Sequence, residues 1–422
     1  MLPVVLEKAE DLRAGEGVRR RARVSVRVRV LRAAILFVAS AYLISGVRYA
    51  MYRPAKSDAY LWVVYHVHSE MSDGLSSVDE IAKQARAANV SAVILTDHGR
   101  PNLQSTNFHR AIDGVTIVGG SEATLPDGHF TFFGASAVPG FRVSSFPPEA
   151  MDDVRQWGAF PVLAYPADYQ YGWRYWKSDL HPGGIEILNL FTSLRETSAW
   201  DRLLLAMYYP FSHFYFLRSI TFPAQSMTHW DEFLGRSRVW AFAASDAHGG
   251  FRLIGKWLPF KFPSYQDTFS LAALGVDRRY ANDPMRAIRG GDFFVCVRGA
   301  GEPRAFEFSA ADATGTVARS GGVVTVGAWV HVGVDAGGQR VRTVLYKDGV
   351  AVRETDAAEL ELDGAEAGVY RAEIFLPRHP MLRADVPWIV SNPIFVGVTP
   401  KEGAPRATTT AVRTAVATAP AF

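Results

Sequence analysis

The strongest constraint on the fold is a regular alternation of short apolar runs with helical patterns between Tyr60 and about Arg298. The apolar runs are typical of buried strands, and residues 78–88 have helical spacing with Ser76 or Ser77 as the N-cap. Repeated strand–helix units predict a mixed α/β fold with a parallel sheet, either open or closed into a barrel. After the first strand, at residues 61–64, the predicted strands are Ala92–Leu95, Val115–Val118, Phe160–Ala164, 185–188 and 239–243.

Polar residues follow these strands at their carboxyl ends. His66 and His68 end the first strand, and in a regular strand their side chains share one face. In a parallel barrel the carboxyl ends meet in one mouth, where catalytic residues lie. The other candidates are Asp97, His98, Glu122, Tyr165, Asp168, Asn189, Asp246 and His248 at strand ends, Asp73 on a turn, and His129 in a following loop.

The candidate ligands are imidazoles and carboxylates. The single cysteine, Cys296, excludes an internal disulfide and a cysteine-rich zinc site. Nitrogen and oxygen ligands suit Zn²⁺, Mn²⁺ or Fe²⁺ in a hydrolytic site, where the metal lowers the pKa of bound water. A lone histidine at a strand end is usually an ordinary core residue, but five of the eleven histidines lie at or beside predicted strand ends. This concentration favours a metal site.

The amino-terminal segment is arginine-rich and precedes an uncharged run. Residues 1–32 hold nine basic and four acidic groups, which gives this segment a net charge of +5. Since the whole chain has a net charge of +3, the remainder carries about −2. The remainder therefore shows no basic excess for nucleic acid. Residues 33–52 are predicted to be a transmembrane anchor, with a cleaved signal segment as the alternative. The arginines would keep residues 1–32 in the cytoplasm and place the rest outside it, periplasmic or at the cell surface, with the membrane as a partner.

Beyond Gly299 the pattern changes to period-two strands separated by glycine-rich turns. The predicted organisation is an α/β domain over residues 58–299, a small all-β sandwich over 300–398, and a disordered tail rich in alanine, threonine and proline over 399–422. Residues 200–235 are unusually aromatic. They are an insertion packed on the α/β domain, a cover over the substrate or a membrane-facing surface.

The motif order resembles that of the PHP domain (polymerase and histidinol phosphatase) over about residues 60–298. The resemblance rests on His66-x-His68, Ser72-Asp73-Gly74, Thr96-Asp97-His98, Glu122, Gly128-His129 and Ser245-Asp246-Ala247-His248. Residues 229–232 and 289–295 are more similar to the branch that includes the CehA/McbA metallo-hydrolases. The resemblance implies a distorted seven-stranded, TIM-like β/α barrel and metal-dependent hydrolysis, usually of phosphoesters and in one branch of carbamates or esters.

The resemblance also implies a ligand set. One metal ion would be held by His66, His68, Glu122 and Asp246, and another by Asp73, His98 and His248. Glu122 would bridge toward a third ion bound by His129, and Asp246, Glu122 and His98 would take part in catalysis. The family usually has His-Pro after the fourth strand, whereas this chain has Tyr165-Pro166, with Asp168 or His181 as alternatives. Sites with two and with three metals therefore both stay open. The expected supporting residues are Asp97, Tyr165, Asp168 and Asn189 as orienting or capping groups, and Arg252 as a phosphate contact.

The leading hypothesis is a phosphoesterase that uses metal-activated hydroxide and no protein nucleophile, acting on a small-molecule or lipid-like ester. One rival is a carbamate or carboxylic-ester hydrolase with the same metals, favoured if the aromatic segment lines an apolar pocket. The other is a catalytically impaired binding module stabilised by metal, which the Tyr165 departure favours.

Overall fold

The computed structural model describes residues 26–44, 47, 54–136, 142–168, 170–177, 179–200, 203, 213–252, 259–260 and 263–400. By contacts the chain divides into two units. The first comprises Met1–Arg53 and Ser198–Tyr215, and the second comprises Pro54–Thr197 and Phe216–Phe422. All the candidate site residues belong to the second unit.

In the first unit, residues 26–44 are helical. Arg27, Arg29 and Arg32 lie in this helix, so the charge-free part of its described range is residues 33–44. At about 1.5 Å per residue that part is about 18 Å long, whereas the hydrocarbon core of a membrane is roughly 30 Å thick. Within the described ranges, no helix has the length and apolar character needed to cross a membrane. The predictions of a transmembrane anchor, a membrane partner and an extracytoplasmic location are therefore wrong. Residues 1–25, 45–46 and 48–53 lie outside the description.

The second unit is built around β1 (Tyr60–Val67), which is buried along its whole length. It pairs in parallel with β2 (Ala92–Leu95) and β9 (Trp240–Ala247), and antiparallel with β12 (Ala273–Asp277). The remaining strands before residue 300 are β3 (Arg110–Ile112), β4 (Val115–Val118), β5 (Gly120–Leu125), β6 (Gly128–Phe133), β7 (Phe160–Ala164), β8 (Gly184–Asn189), β10 (Phe251–Arg252), β11 (Pro259–Phe260) and β13 (Phe293–Cys296).

From β1 the sheet continues on one side to β2 and on the other through β9, β8, β7 and β6 to β5. The pairs β8–β9 and β7–β8 are parallel, but β6–β7 and β5–β6 are antiparallel. Strand β5 approaches β2 through a bridge between His98 and Glu122. The mixed α/β fold is thus confirmed, whereas the TIM-like barrel is not, because neighbouring strands of a TIM barrel are all parallel. Only two residues join β5 to β6, too few for the crossover that a parallel pair needs.

The helices cover the sheet with amphipathic faces. The first, α1 (Val78–Ala87), begins at Ser77, whose hydroxyl accepts the N–H of Glu80, and it buries Val78, Ile81, Ala82 and Ala85 on one face. The predicted helix is confirmed to within one residue. The other helices are α2 (Leu103–Thr106), α3 (Pro147–Gln156), α4 (Leu190–Arg195), α5 (His213–Ser219), α6 (Ala224–Leu234), α7 (Tyr265–Phe269) and α8 (Pro284–Gly290), with 3₁₀ turns at Arg278–Tyr280 and Arg298–Ala300.

The segment after residue 300 contains strands and turns but no helix in its described part. Its strands are β14 (Ala305–Ala311), β15 (Val317–Arg319), β16 (Val323–Val324), β17 (Ala328–Asp335), β18 (Arg342–Lys347), β19 (Val350–Thr355), β20 (Glu359–Ala365), β21 (Gly368–Phe375), β22 (Pro387–Ser391) and β23 (Ile394–Val396). Strands β15, β14, β17 and β20 form one sheet, and β22 pairs with β13 of the large sheet. The all-β character agrees with the prediction. The predicted domain boundaries stay predictions, and residues 401–422, most of the predicted tail, lie outside the description.

Candidate metal centre

The end of β1 delivers two buried imidazoles to one place. His66 and His68 are fully buried, and their ring centroids are 5.2 Å apart. The register of β1 with both β2 and β9 shifts between Tyr65 and Val67. His66 therefore lies at a local irregularity of the pairing rather than in a regular strand.

A first group of ligand atoms lies against His66 and His68. The Nε2 atom of His68 is 3.3 Å from Glu122 Oε2 and 3.4 Å from Asp246 Oδ1. The Nε2 atom of His66 is 3.3 Å from the same Glu122 oxygen and 3.7 Å from the same Asp246 oxygen. One ligand atom from each of His66, His68 and Asp246 lies within 4.8 Å of the others.

A second group shares His68 with the first. The Nδ1 atom of His68 is 3.6 Å from Asp73 Oδ1, and His248 Nε2 is 3.4 Å from that same oxygen. His98 Nε2 is 3.6 Å from the other Asp73 oxygen. These four residues again offer ligand atoms within 4.8 Å of one another. His68 thus lies between two adjacent groups, each of a size that fits a single ion.

The orphaned polar atoms show that this donor set fits divalent metal ions. Both ring nitrogens of His68 and Asp246 Oδ1 are buried and have no hydrogen-bond partner among the residues that the structure describes. Leaving such buried atoms unsatisfied costs about 1–3 kcal/mol each. These same three atoms point into the two groups, where coordination to a cation would satisfy them. Imidazole nitrogens and carboxylate oxygens match the preferences of Zn²⁺, Mn²⁺ and Fe²⁺.

Glu186, which was not predicted from the sequence, contacts His66 through the ring nitrogen that does not face the first group. It lies in the middle of the otherwise apolar β8 and is buried, and its Oε1 is 2.6 Å from His66 Nδ1. The same carboxylate accepts hydrogen bonds from the Tyr65 hydroxyl at 3.1 Å, the Tyr165 N–H at 3.1 Å and the Asn189 amide at 3.1 Å. A charged residue inside an apolar strand was the signal available in the sequence.

Three site residues adopt a backbone conformation that side-chain-bearing residues rarely take. The φ angles of His66, Tyr165 and Asp246 are 63°, 51° and 47°. Such strain costs on the order of 1–3 kcal/mol per residue and persists only where the surroundings hold it. Here Glu186 binds the side chain of His66 and the N–H of Tyr165, and the Tyr165 hydroxyl donates to Asp246 Oδ2 at 2.7 Å.

The residues predicted for a third ion do not assemble a comparable group. His129 lies on strand β6 rather than in a loop, and its Nδ1 is 2.8 Å from Glu122 Oε1. Tyr165 lies beside it, with ring centroids 5.6 Å apart, but its hydroxyl is bonded to Asp246. Asp168 instead contacts Arg195 and accepts from the Thr192 hydroxyl. No group of three ligand-type side chains within the described ranges includes His129.

The remaining predicted residues have supporting positions. Asp97 accepts hydrogen bonds from the N–H and hydroxyl of Ser69 and from the hydroxyl of Ser72, so it holds the loop after β1. Asn189 caps α4 by accepting the Thr192 N–H at 2.9 Å. The side chain of Arg252 lies outside the described residues.

The electrostatics of the centre favour a cation. Burial lowers the pKa of His66 and His68, but the facing carboxylates outweigh it and raise the pKa of His68 to about 9 and that of His66 well above its usual value. Burial alone would raise the pKa of Asp73, Glu122 and Asp246, yet the neighbouring imidazoles hold the pKa of each carboxyl below its usual range. Three anionic carboxylates thus converge where positive charge is required.

The PHP domain family matches residues 65–216. A two-domain protein from Bacteroides vulgatus, described as containing a predicted PHP-like metal-dependent phosphoesterase, is similar at 14% identity over 81% of this chain and 97% of that one, with a TM-score of 0.36. An amidohydrolase from Chromobacterium violaceum with bound sulfate and no metal is similar at 14% identity over 44% of this chain and 87% of that one, with a TM-score of 0.27. Among curated proteins, none matches the chain.

The match confirms the predicted PHP domain over residues 65–216. That segment includes His66, His68, Asp73, His98, Glu122 and His129. The finer placement in the CehA/McbA-like branch is not shown and stays a prediction.

Proposed function

We propose that this PHP-domain chain is a metal-dependent hydrolase that cleaves phosphoesters at a centre of two divalent metal ions. The observation that carries the proposal is the set of buried, unpartnered atoms, His68 Nδ1, His68 Nε2 and Asp246 Oδ1, at the junction of two ligand groups. His66, His68, Glu122 and Asp246 would hold one ion. Asp73, His98 and His248 would hold the other. Metal ions there would supply Lewis-acid chemistry, polarising the ester and making water a stronger nucleophile at neutral pH.

The protein's own contribution is to fix the tautomers of the ligands. His66 Nδ1 faces Glu186 at 2.6 Å, so that nitrogen donates to the carboxylate and Nε2 is the ring atom directed at the first group. His248 Nδ1 is 3.0 Å from the carbonyl oxygen of Asp246, which likewise leaves Nε2 free to face Asp73. These outer hydrogen bonds preorganise the ligands before any metal arrives.

Asp246 and Tyr165 form the other preorganised part of the centre. The Tyr165 hydroxyl donates to Asp246 Oδ2 at 2.7 Å and so leaves Oδ1 as the atom that faces His66 and His68. Burial and the nearby Asp246 carboxylate raise the pKa of Tyr165 well above its usual value, so the hydroxyl keeps its proton. This tyrosine, which stands where the family usually has a histidine, therefore supports two ions rather than a third.

The test is a substrate panel on the full chain loaded with Zn²⁺ or Mn²⁺. The panel contains an aryl phosphomonoester, an aryl phosphodiester, an aryl acetate and an aryl carbamate. We expect turnover of one of the phosphoesters, lost to background in Asp246→Asn and retained in Asp363→Asn, which changes an exposed aspartate of β20. Turnover of the acetate or carbamate without the phosphoesters would contradict the proposal.

The second candidate is a carbamate or carboxylic-ester hydrolase with the same ligands. It is favoured by an apolar cavity of about 300 Å³ that shares Asp73, Asp246 and His248 with the centre. Phe216, from the aromatic segment, lines this cavity, and residues 201–202 and 204–212 of that segment lie outside the description. The same panel separates the two candidates.

A further inference from the structure

The cavity next to the metal centre carries a further inference about the substrate. Its volume is about 300 Å³, far more than one water molecule needs. Its apolar walls come from Leu75, Leu190, Phe191, Leu194, Phe216 and Leu271. Asp73, Asp246 and His248 also line it, so the cavity opens directly onto the candidate ligands.

The hydroxyl groups in the wall donate their protons to backbone carbonyl oxygens. Ser245 donates to the carbonyl oxygens of Tyr65 and His66, at 3.1 and 2.8 Å. Thr268 donates to the carbonyl oxygen of Ser264 at 2.9 Å. Within the described lining, the polar groups left to face a ligand are therefore the candidate metal ligands themselves. A polar group of a ligand that enters the apolar part of the cavity would lose its hydrogen bonds to water and find no replacement.

Both walls are anchored to the centre, so the cavity has a fixed position relative to the candidate ligands. On one side Asn189 caps α4, which supplies Leu190, Phe191 and Leu194, and its amide donates to Glu186 behind His66. On the other side the Tyr265 hydroxyl at the start of α7 donates to the carbonyl oxygen of His68 at 2.7 Å. Leu75 is held beside His248 by its N–H, which donates to the His248 carbonyl at 2.9 Å.

We infer that the cavity binds the leaving group of the ester, and that this group is an apolar alkyl or aryl alcohol. The inference rests on the proposed function and deepens it by naming the substrate class. In the reaction, water adds its oxygen to phosphorus, the bond from phosphorus to the ester oxygen breaks, and the alcohol departs with one proton. The other product is inorganic phosphate when the substrate is a phosphomonoester, and a phosphomonoester when it is a phosphodiester. A sugar or polyol leaving group would bury hydroxyls against leucine and phenylalanine, and the structure disfavours it.

The experiment compares ethyl and hexyl phosphate on the metal-loaded full chain. Primary alcohols of this kind have similar basicity, so the ratio of the two kcat/KM values reports on binding of the extra methylenes. Each additional buried methylene raises kcat/KM about fourfold. The four that hexyl phosphate has beyond ethyl phosphate therefore give a ratio on the order of 10². Glycerol phosphate serves as a polar substrate larger than ethyl phosphate. A ratio near one, or a preference for glycerol phosphate over hexyl phosphate, would overturn the inference.

Two variants assign the effect to this cavity. Leu194 is half-buried in the wall, and Leu194→Trp fills the space, so the hexyl-to-ethyl ratio should fall at least tenfold. Val350→Trp adds the same indole at an exposed position of β19 and should leave the ratio unchanged. An unchanged ratio in Leu194→Trp would mean that the alkyl chain binds elsewhere.

A binding measurement separates failure of this inference from failure of the proposed function. Ethylphosphonate and hexylphosphonate cannot be hydrolysed, and calorimetry measures their affinities for the metal-loaded chain. Tighter binding of hexylphosphonate, lost in Leu194→Trp, supports the cavity even if no ester is turned over. Hydrolysis of phosphoesters with equal binding of both phosphonates would retain the function and reject the cavity as the leaving-group site.

Discussion

A substitution of Glu186 changes the orientation of a candidate ligand, His66, without replacing any ligand. Its carboxylate accepts four donors, among them His66 Nδ1. In Glu186→Gln one acceptor oxygen becomes an amide N–H₂ that faces donors, so His66 loses its fixed tautomer. We expect metal affinity to fall about 10- to 100-fold, as other outer-shell changes do. Competition with a chelating dye measures it.

Glu361→Gln, at an exposed position of β20, is the control for the Glu186 change and should leave metal affinity unchanged. Equal metal affinity in Glu186→Gln and the wild type would show that His66 needs no orienting carboxylate or is not a ligand.

A second residue-scale prediction concerns pH and stability. His379 accepts the N–H groups of Met381 and Leu382 on Nδ1, at 3.1 and 2.8 Å, and burial lowers its pKa from 6.5 to about 4. The unfolded chain therefore binds the proton more readily, so this residue's stabilisation is complete above pH 6.5 and is lost as the pH falls toward 4. His379→Asn keeps an acceptor and cannot be protonated in this range.

Denaturant unfolding at several pH values tests the His379 prediction. Between pH 7 and 4, the wild type should lose about 2 kcal/mol more than His379→Asn, a value discounted for partial exposure. Identical pH profiles for the two proteins would contradict it.

The sequence predicted the residue types of the centre better than their backbone. His66, His68, His98 and Asp246 were identified because polar residues follow apolar strands. The left-handed φ angles of His66, Tyr165 and Asp246 could not be predicted, since none is glycine. Glu186 was not predicted because it lies within a strand, whereas the candidates all lie at or beyond strand ends. A charged residue within the apolar run of β8 was the signal that could have identified it.

At the scale of elements, Arg298 ties three of them together in the core. The side chain is fully buried and contacts Glu302 Oε1 at 2.6 Å through Nη2. Its guanidinium also donates to the carbonyl oxygens of Ala88, after α1, and Phe269, the last residue of α7, and it stacks on Trp62 of β1 at 4.6 Å. These contacts stabilise the packing of the three elements only while the Glu302 carboxylate compensates the buried charge of Arg298.

Removing that carboxylate should be costly. Glu302→Gln leaves the Arg298 charge buried and uncompensated, and we expect the free energy of unfolding to fall by about 3 kcal/mol. Glu354→Gln breaks the partly exposed pair with Arg342 and should cause no detectable change. Denaturant unfolding compares both variants with the wild type, and equal stability of all three would contradict the prediction.

The hairpin of β5 and β6 was not predicted from the sequence. Val115–Val118 was predicted with the observed bounds, and Glu122 was expected to follow it at a strand end. Glu122 instead lies within β5 and His129 on β6, directly paired with Thr124. A two-residue turn without a helical segment was the sequence signal for an antiparallel connection, and it excludes a regular TIM-like arrangement here.

At the scale of the whole molecule, the predicted all-β part and the α/β part share a sheet. Strand β13 pairs with β12 on one side and with β22 on the other. The Asn392 amide adds bonds to Ala241 N–H and the Phe293 carbonyl, at 2.8 and 3.2 Å. Arg371 of β21 binds Asp231 of α6 through two nitrogens, at 2.8 and 2.9 Å.

This continuity predicts cooperative unfolding. Calorimetry of the chain should show a single transition for the second unit, because separating its parts would expose the buried edge of β13. Two well-separated transitions, one of them retained in a fragment ending at residue 300, would contradict the prediction.

The amino-terminal helix shows why a composition argument failed at this scale. Residues 33–47 are uncharged, and that run, extended by Arg48 and the residues to 52, predicted a membrane anchor. The described helix, residues 26–44, includes Arg27, Arg29 and Arg32, and no helix within the described ranges is long and apolar enough to cross a membrane. Where the helix begins cannot be read from an apolar run alone.

The most direct test of the account is metal stoichiometry by elemental analysis of the full chain after loading with Zn²⁺ or Mn²⁺ and removal of excess metal. The account predicts two ions per chain in the wild type and in Asp363→Asn, and at most one in Asp246→Asn. Less than one ion per wild-type chain would contradict the account, because the unpartnered atoms of His68 and Asp246 would then have no metal to bind.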